Sequence, residues 1–298
     1  MPIGEILSLG SAIIWGFSVS LFKIIGNTVS PYILNPVKNT IGTILFLLTC
    51  FIVGNNYYIY PLSIYEYLII GLSGVIGITI ADVLFLRSLN ILGTSRSSII
   101  NTIYSPMVIL LAYFILGEQL RAIHFLGGGL ILGSIIYLSA NPEKKTVEDL
   151  TQGLVLGVIA YTLMALGIVI IKPVLTRCAD SMYTQMWIIL YRLIPGTFLS
   201  YVTMSFMLTK TEIKTQLSDR KIWPVILLGS FLGTYVGFAM WIMGMAKTSA
   251  SIASILNQTS TIFIAFFGWL ILKERFSRKM MSCFLIALLG AFIIITNP

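Results

Sequence analysis

Three ionisable residues, Lys38, Asp82 and Arg192, stand inside stretches that are otherwise apolar. At the middle of a bilayer such a side chain costs roughly 3 kcal/mol on insertion scales, so it is expected to face a cavity or a partner. Aligning Lys38-Asn39-Thr40-Ile41-Gly42 with Arg192-Leu193-Ile194-Pro195-Gly196 brings Lys38 onto Arg192 and Gly42 onto Gly196, at an offset of 192 − 38 = 154. Two cations presented to one space favour a ligand bearing a carboxylate or a phosphate. Two other readings stand beside that one. Lys38 and Arg192 could snorkel to the interfaces, or Asp82 could neutralise one of them in a structural pair. Asp82 has no acidic counterpart, so a third role is an asymmetric proton-coupling group.

Further candidates come from polar and aromatic residues in the same runs. Asn101 and Asn257 either contact a ligand or hydrogen-bond across a helix interface. Trp15, Tyr161, Tyr235 and Trp241 could be stacking walls or ordinary packing, and Tyr191 accompanies Arg192. Arg87 lies near a span end, where snorkelling is expected. His124, the single histidine, sits beside Arg121 at a span start and reads as interfacial. Nothing here makes a catalytic constellation: there is no His-Glu-x-x-His and no pair of aspartates on facing spans, so no enzyme, metal or cofactor is expected. Cys50, Cys178 and Cys283 lack metal-ligand spacing. Gly127-Gly128-Gly129 follows no strand and precedes no phosphate-loop lysine, so it reads as packing, and ATP is not the direct energy source.

The chain that must position these residues is 298 residues long, 57% hydrophobic and only 10% charged, with a mean hydropathy of +0.95. Soluble domains carry about 25% charged residues, so this is an all-α membrane protein. Its net charge of +8 lies mostly between the apolar runs. That suits loops beside anionic headgroups and argues against nucleic acid as a partner. Spans are expected near Gly4–Ile25, Ile33–Val53, Tyr65–Leu89, Ser95–Leu116 and Ile123–Ala140. A second set falls near Gly153–Ile171, Tyr183–Leu208, Ile222–Met245, Ser251–Leu272 and Met280–Thr296. The first has neither a basic leader nor a cleavage site and is kept as a helix. The polar stretch 143–152 separates the halves 1–142 and 153–298, and the loop from Lys210 to Lys221 is expected to be solvated.

The halves are copies. Gly77 to Pro142 and Gly233 to Pro298 align without a gap at an offset of 233 − 77 = 156, sharing Ser95/Ser251, Ser98/Ser254, Asn101/Asn257 and Glu118/Glu274. A gapless register of this length indicates internal duplication. Five crossings per half is odd, so the second copy is expected upside down relative to the first, with a substrate site where the repeats meet. Ser73-xxx-Gly77-xxx-Ala81 and Gly229-xxx-Gly233-xxx-Gly237 are small-residue ridges for close helix packing.

With the doubled five-span unit, the two Ser-x-x-Ser-x-x-Asn runs, and Leu116-Gly117-Glu118 echoed by Leu272-Lys273-Glu274, the chain resembles the drug/metabolite transporter superfamily, specifically its EamA-type permeases of ten helices. The resemblance covers nearly the whole chain; Lys273 departs from it, leaving a loop signature and not a site. It implies a monomeric carrier in a prokaryotic plasma membrane, with helices around a central cavity that passes small metabolites, amino acids or drugs. Alternatives are a lipid-linked or quaternary-ammonium substrate held by aromatics, or a scaffold that moves nothing.

Orientation stays open. With a cytoplasmic amino terminus, which the resemblance implies, the inner loops hold Arg121, Lys172, Arg177 and Lys247. The outer loops then hold Lys144, Lys145, Lys210, Lys214, Arg220, Lys221, Lys273, Arg275, Arg278 and Lys279. The excess of outer cations favours the opposite orientation by the positive-inside rule.

Overall fold

A computed structural model describes residues 2–26, 28–54, 61–92, 100–139, 147–272 and 278–297. Ser95, Ser98, Lys273, Glu274 and much of the stretch between the halves lie outside these residues. The described chain is helical throughout: α1 Ile3–Ile25, α2 Pro31–Val53, α3 Ile64–Leu92, α4 Tyr104–Leu116, α5 Ala122–Ser139, α6 Val147–Val169, α7 Lys172–Arg177, α8 Met182–Met207, α9 Lys210–Leu217, α10 Trp223–Lys247, α11 Ala250–Asn257, α12 Ser260–Leu272 and α13 Arg278–Thr296. Seven runs among the described residues are long and apolar enough to cross a bilayer, and shorter apolar helices accompany them. This is a multi-pass membrane protein.

The ends of these helices follow from local chemistry. Pro31 occupies the first turn of α2, where its missing N–H costs nothing, and Ser30 Oγ accepts from Tyr32 N. Ser63 and Glu66 form a reciprocal capping box on α3, as Thr209 and Glu212 do on α9. The region expected as a solvated loop from Lys210 therefore holds a short helix. Its Ile213 and Leu217 pack on a cluster around Phe22, Ile33 and Ile226.

Two departures from regular α-helix recur in both halves. Val75–Ala81 in α3 and Ser230–Gly237 in α10 are wider π-helical turns, and 81 + 156 = 237. Asn101 is followed by a turn at Thr102–Ile103, and Asn257 by a turn at Gln258–Thr259, so the fourth and ninth expected spans are interrupted at matching places. π-helical turns occur frequently at functional sites, and irregular backbone inside a membrane is tolerated where it is buried in protein or lines a cavity.

The halves interlock. α2 packs on α8 and α5 on α13; α3 packs on α6 and α10 on α1; α4 packs on α6 and α12 on α1. The close approaches need glycine. A Cβ on Gly74 would strike the backbone carbonyl of Arg192, and one on Gly233 would lie 2.9 Å from Ser18 Cβ. Of the three consecutive glycines, Gly127 is pressed against Ile294 and the Gly290 carbonyl, Gly128 makes ordinary contact with Ile255, and Gly129 faces open space.

The corner between α10 and α11 is tied down from three directions. Lys172 Nζ donates to the carbonyls of Met245 and Thr248 at 2.6 and 2.8 Å. Thr248 Oγ1 donates to Glu5 at 2.6 Å. Gly117 ends α4 in the left-handed conformation at φ 69°. That turn carries Glu118 across to accept from Ala250 N, Ser251 N and Ser251 Oγ at 2.8, 3.0 and 2.8 Å. Lys172, assigned to a loop from sequence, is therefore a buried structural cation: where protein excludes water, helix-end carbonyls need such donors. His124 is buried as well, with its Nε2 2.8 Å from the Asn297 carbonyl.

Candidate functional site

A cavity of about 210 Å³ lies between the halves. It is smaller than the roughly 300–1,000 Å³ common for ligand pockets, which suits a small solute. Its walls come from α1, α2, α3, α4, α6, α8, α10 and α12, together with the residues at the α4 and α11 breaks. Both π-helical turns reach it, through Gly77 and Ile78 on one side and Gly233, Thr234 and Gly237 on the other.

Eight of the ten residues singled out in the sequence line this space: Lys38, Asp82, Arg192, Trp15, Asn101, Tyr161, Trp241 and Asn257. Tyr191 and Tyr235 are placed elsewhere. Tyr191 packs edge-on against Tyr67 at 4.9 Å and beside Trp187. Tyr235 packs on Phe46 at 4.7 Å, with its hydroxyl 2.6 Å from Thr49 Oγ1. One residue along a helix rotates a side chain by about 100°, so the neighbour of a lining arginine belongs to another face.

Lys38 donates to Asp82 Oδ2 at 2.7 Å and to Asn39 Oδ1 at 3.1 Å. Asn39 donates to Asn35 Oδ1 at 3.1 Å. Asn35 in turn donates to the Ile78 carbonyl at 2.9 Å and to Ser200 Oγ at 3.2 Å. The network thus reaches from the ion pair into a π-helical turn and across to the second half. Such connected buried polar chains hold their members in one geometry. Lys38 is consequently anchored inside the protein.

Arg192 has a different neighbour. Its guanidinium carbon lies 5.4 Å from the Phe238 ring centroid, and Phe238 is the positional copy of Asp82 (238 − 82 = 156). Arg192 is 4% exposed, and its Nε and Nη1 have no hydrogen-bond partner among the described residues. One half therefore pairs its cation with a carboxylate, and the other sets its cation beside an aromatic face.

Asn101 Nδ2 donates to Thr261 Oγ1 at 2.8 Å, and Gln258 Nε2 donates to the Asn101 carbonyl at 2.8 Å. The two helix breaks are stitched together across the halves, and Gln258 supplies a donor to a carbonyl beside the interrupted turn. Around them stand Tyr104, Tyr161 and Trp241, with Tyr104 6.5 Å from each of the other rings, while Phe85 meets Tyr161 at 5.8 Å. Tyr104, Phe85 and Phe238 were not singled out from sequence. Tyr104 had a usable signal, because it follows Asn101 by three residues, a spacing that would share a face in an unbroken helix.

A family profile described as the EamA-like transporter family matches residues 2–140 and again 151–296. A Methanothermobacter thermautotrophicus protein described as an uncharacterized transporter is 27% identical over 234 residues; the match spans 78% of this chain but 65% of that relative's length. An Archaeoglobus fulgidus protein of the same description is 22% identical over 305 residues, covering 98% of each. One solved crystal structure, 13% identical, superposes with a TM-score of 0.76 over 97% of this chain and 95% of its own, and so shares the fold.

Proposed function

Because the chain belongs to the EamA-like transporter family, we propose that it is a secondary carrier that passes a small solute through the central cavity by alternating access. The observation that carries this reading is the cavity's position. Its polar and aromatic lining is drawn from both family-matched segments, where a carrier needs its site. The paired π-helical turns and paired helix breaks add support, since transporter sites are commonly built from discontinuous helices near mid-membrane.

In this reading the chain crosses the membrane ten times, as five-span repeats 1–142 and 153–298 in opposite orientation, with 143–152 between them. The exchanged packing fits two related copies: α3 with α6 mirrors α10 with α1, as expected about a two-fold axis. The Lys38–Asp82 pair is the natural place for proton coupling. The carrier acts as a monomer on a small-molecule substrate, without a cofactor. An aromatic cage for a quaternary ammonium is disfavoured, because two cations line the same space.

The test is release from proteoliposomes. Purified protein is reconstituted into vesicles loaded with a defined mixture of carboxylates, amines, amino acids and neutral solutes. Selective loss of one class relative to protein-free vesicles is expected. Identical retention of every solute would contradict transport and leave the scaffold reading.

A further inference from the structure

The charged residues lining the cavity among those described are Lys38, Asp82 and Arg192, which sum to +1 + 1 − 1 = +1. Asp82 is committed to Lys38 at 2.7 Å. The uncompensated charge is therefore assigned to Arg192, which is almost wholly buried and whose Nε and Nη1 have no hydrogen-bond partner among the described residues. A buried charge without a partner is strongly disfavoured, and a ligand that supplies the missing negative charge and acceptor oxygens relieves that cost. We infer that the substrate is a monoanion: a small solute with one carboxylate, or a similarly single-charged oxyanion, on an apolar body. This rests on the carrier reading and narrows it.

The chemistry of the walls fixes both ends of such a molecule. Arginine presents a planar fork of donors that matches a carboxylate with two parallel bonds. A phosphate monoester carries about −1.5 to −2 at neutral pH, which overshoots the single charge to be matched. Tyr104, Tyr161 and Trp241 supply flat apolar surface for the rest of the ligand. The two halves differ at one matching position of this site. With Phe238 where its copy has Asp82, Arg192 is left without the carboxylate that Lys38 has, and the substrate takes that place.

Four probes with one phenyl-ethyl skeleton test the charge: 3-phenylpropanoate, 2-phenylethylamine, phenylalanine and phenylsuccinate, scored by the rise in thermal unfolding temperature of the purified protein. 3-Phenylpropanoate is expected to give the largest rise. Its apparent affinity should fall at least about tenfold in Arg192→Gln, the loss expected for a charge-assisted bond. Arg192→Lys should retain part of the effect. Phe238→Asp, which brings the lining sum to zero without touching Arg192, should abolish it, and it serves as the test should Arg192→Gln not fold. Greater stabilisation by any of the other three probes, an undiminished shift in Arg192→Gln or in Phe238→Asp, or no shift with any probe overturns the inference. Failure of the carrier reading looks different. In that case 3-phenylpropanoate binds in an Arg192-dependent manner but crosses the bilayer of proteoliposomes no faster than that of protein-free vesicles.

Discussion

Arg192 faces the Phe238 ring at 5.4 Å, in the place where the corresponding cation of the first half, Lys38, meets Asp82 at 2.7 Å. At the cavity, among the described residues, the duplicated halves thus present one cation each and a single carboxylate between them. Most of what distinguishes the site follows from that asymmetry, including which substitutions it will tolerate.

Removing Asp82 strands Lys38 in the protein interior. Asp82→Asn is expected to lower stability by about 3–5 kcal/mol, as loss of one partner of a buried ion pair does. The double variant Lys38→Met with Asp82→Leu should recover most of it, because no charge is then left unpaired. Thermal unfolding in detergent reads both. Equal destabilisation in the single and double variants would show that the pair's charge complementarity is unimportant.

Glycines that look alike in the sequence should behave differently. Gly74→Ala forces a methyl group into the backbone of Arg192 and Gly127→Ala into Ile294, each costing about 1–3 kcal/mol by overpacking. Gly129→Ala meets nothing within 4 Å and should be neutral or stabilising by roughly 0.5–1 kcal/mol through helix propensity. Chemical denaturation of the three variants gives the ranking.

Glu118 satisfies the first two N–H groups of α11 from the opposite half, while Ser249 Oγ accepts from Ile252 N. Glu118→Ala should cost roughly 1–2 kcal/mol, within the range of a lost helix cap. It should also raise amide hydrogen exchange over residues 250–254 selectively. Unchanged exchange there would argue that water replaces the carboxylate freely.

The cap on α9 should be pH-dependent. Hydrogen bonds from Thr209 N and Oγ1 hold the Glu212 carboxyl below its usual value. A depressed carboxylate contributes stability above its unfolded pKa and loses it as pH falls through the folded one. Exchange protection of α9, corrected for intrinsic rates, should therefore be constant near neutrality and decline at pH values below the ordinary carboxylate range. Glu212→Gln should show no such decline.

The sequence discloses the larger plan because its signals are periodic and repeated. A gapless offset of 156 residues exposes the duplication, and three charges in apolar runs point to the interior. What it conceals is the direction of individual side chains and the local winding of helices. Nothing in the composition of Val75–Ala81 marks a wider turn, and only its recurrence at Ser230–Gly237 gives it weight. Tyr191 and Tyr235 look as eligible as Tyr161, yet they pack on Tyr67 and Phe46, since a rotation of one residue suffices to change the face. Glu118 reads as a loop signature because its role depends on a turn at Gly117 and on a helix more than a hundred residues away. Lys172 deceives in the other direction: its position after an apolar run suggests a loop, and only the nearby end of α10 shows what it bonds.

Accessibility of the cavity from the two sides of the membrane tests the account most directly. Asn257→Cys places a thiol on the lining, in a background where the buried Cys50, Cys178 and Cys283 are replaced by alanine. A membrane-impermeant anionic methanethiosulfonate is then added to one face of oriented vesicles at a time. A carrier that exposes its site alternately predicts modification from either face. Modification from one face only, or from neither, would contradict it.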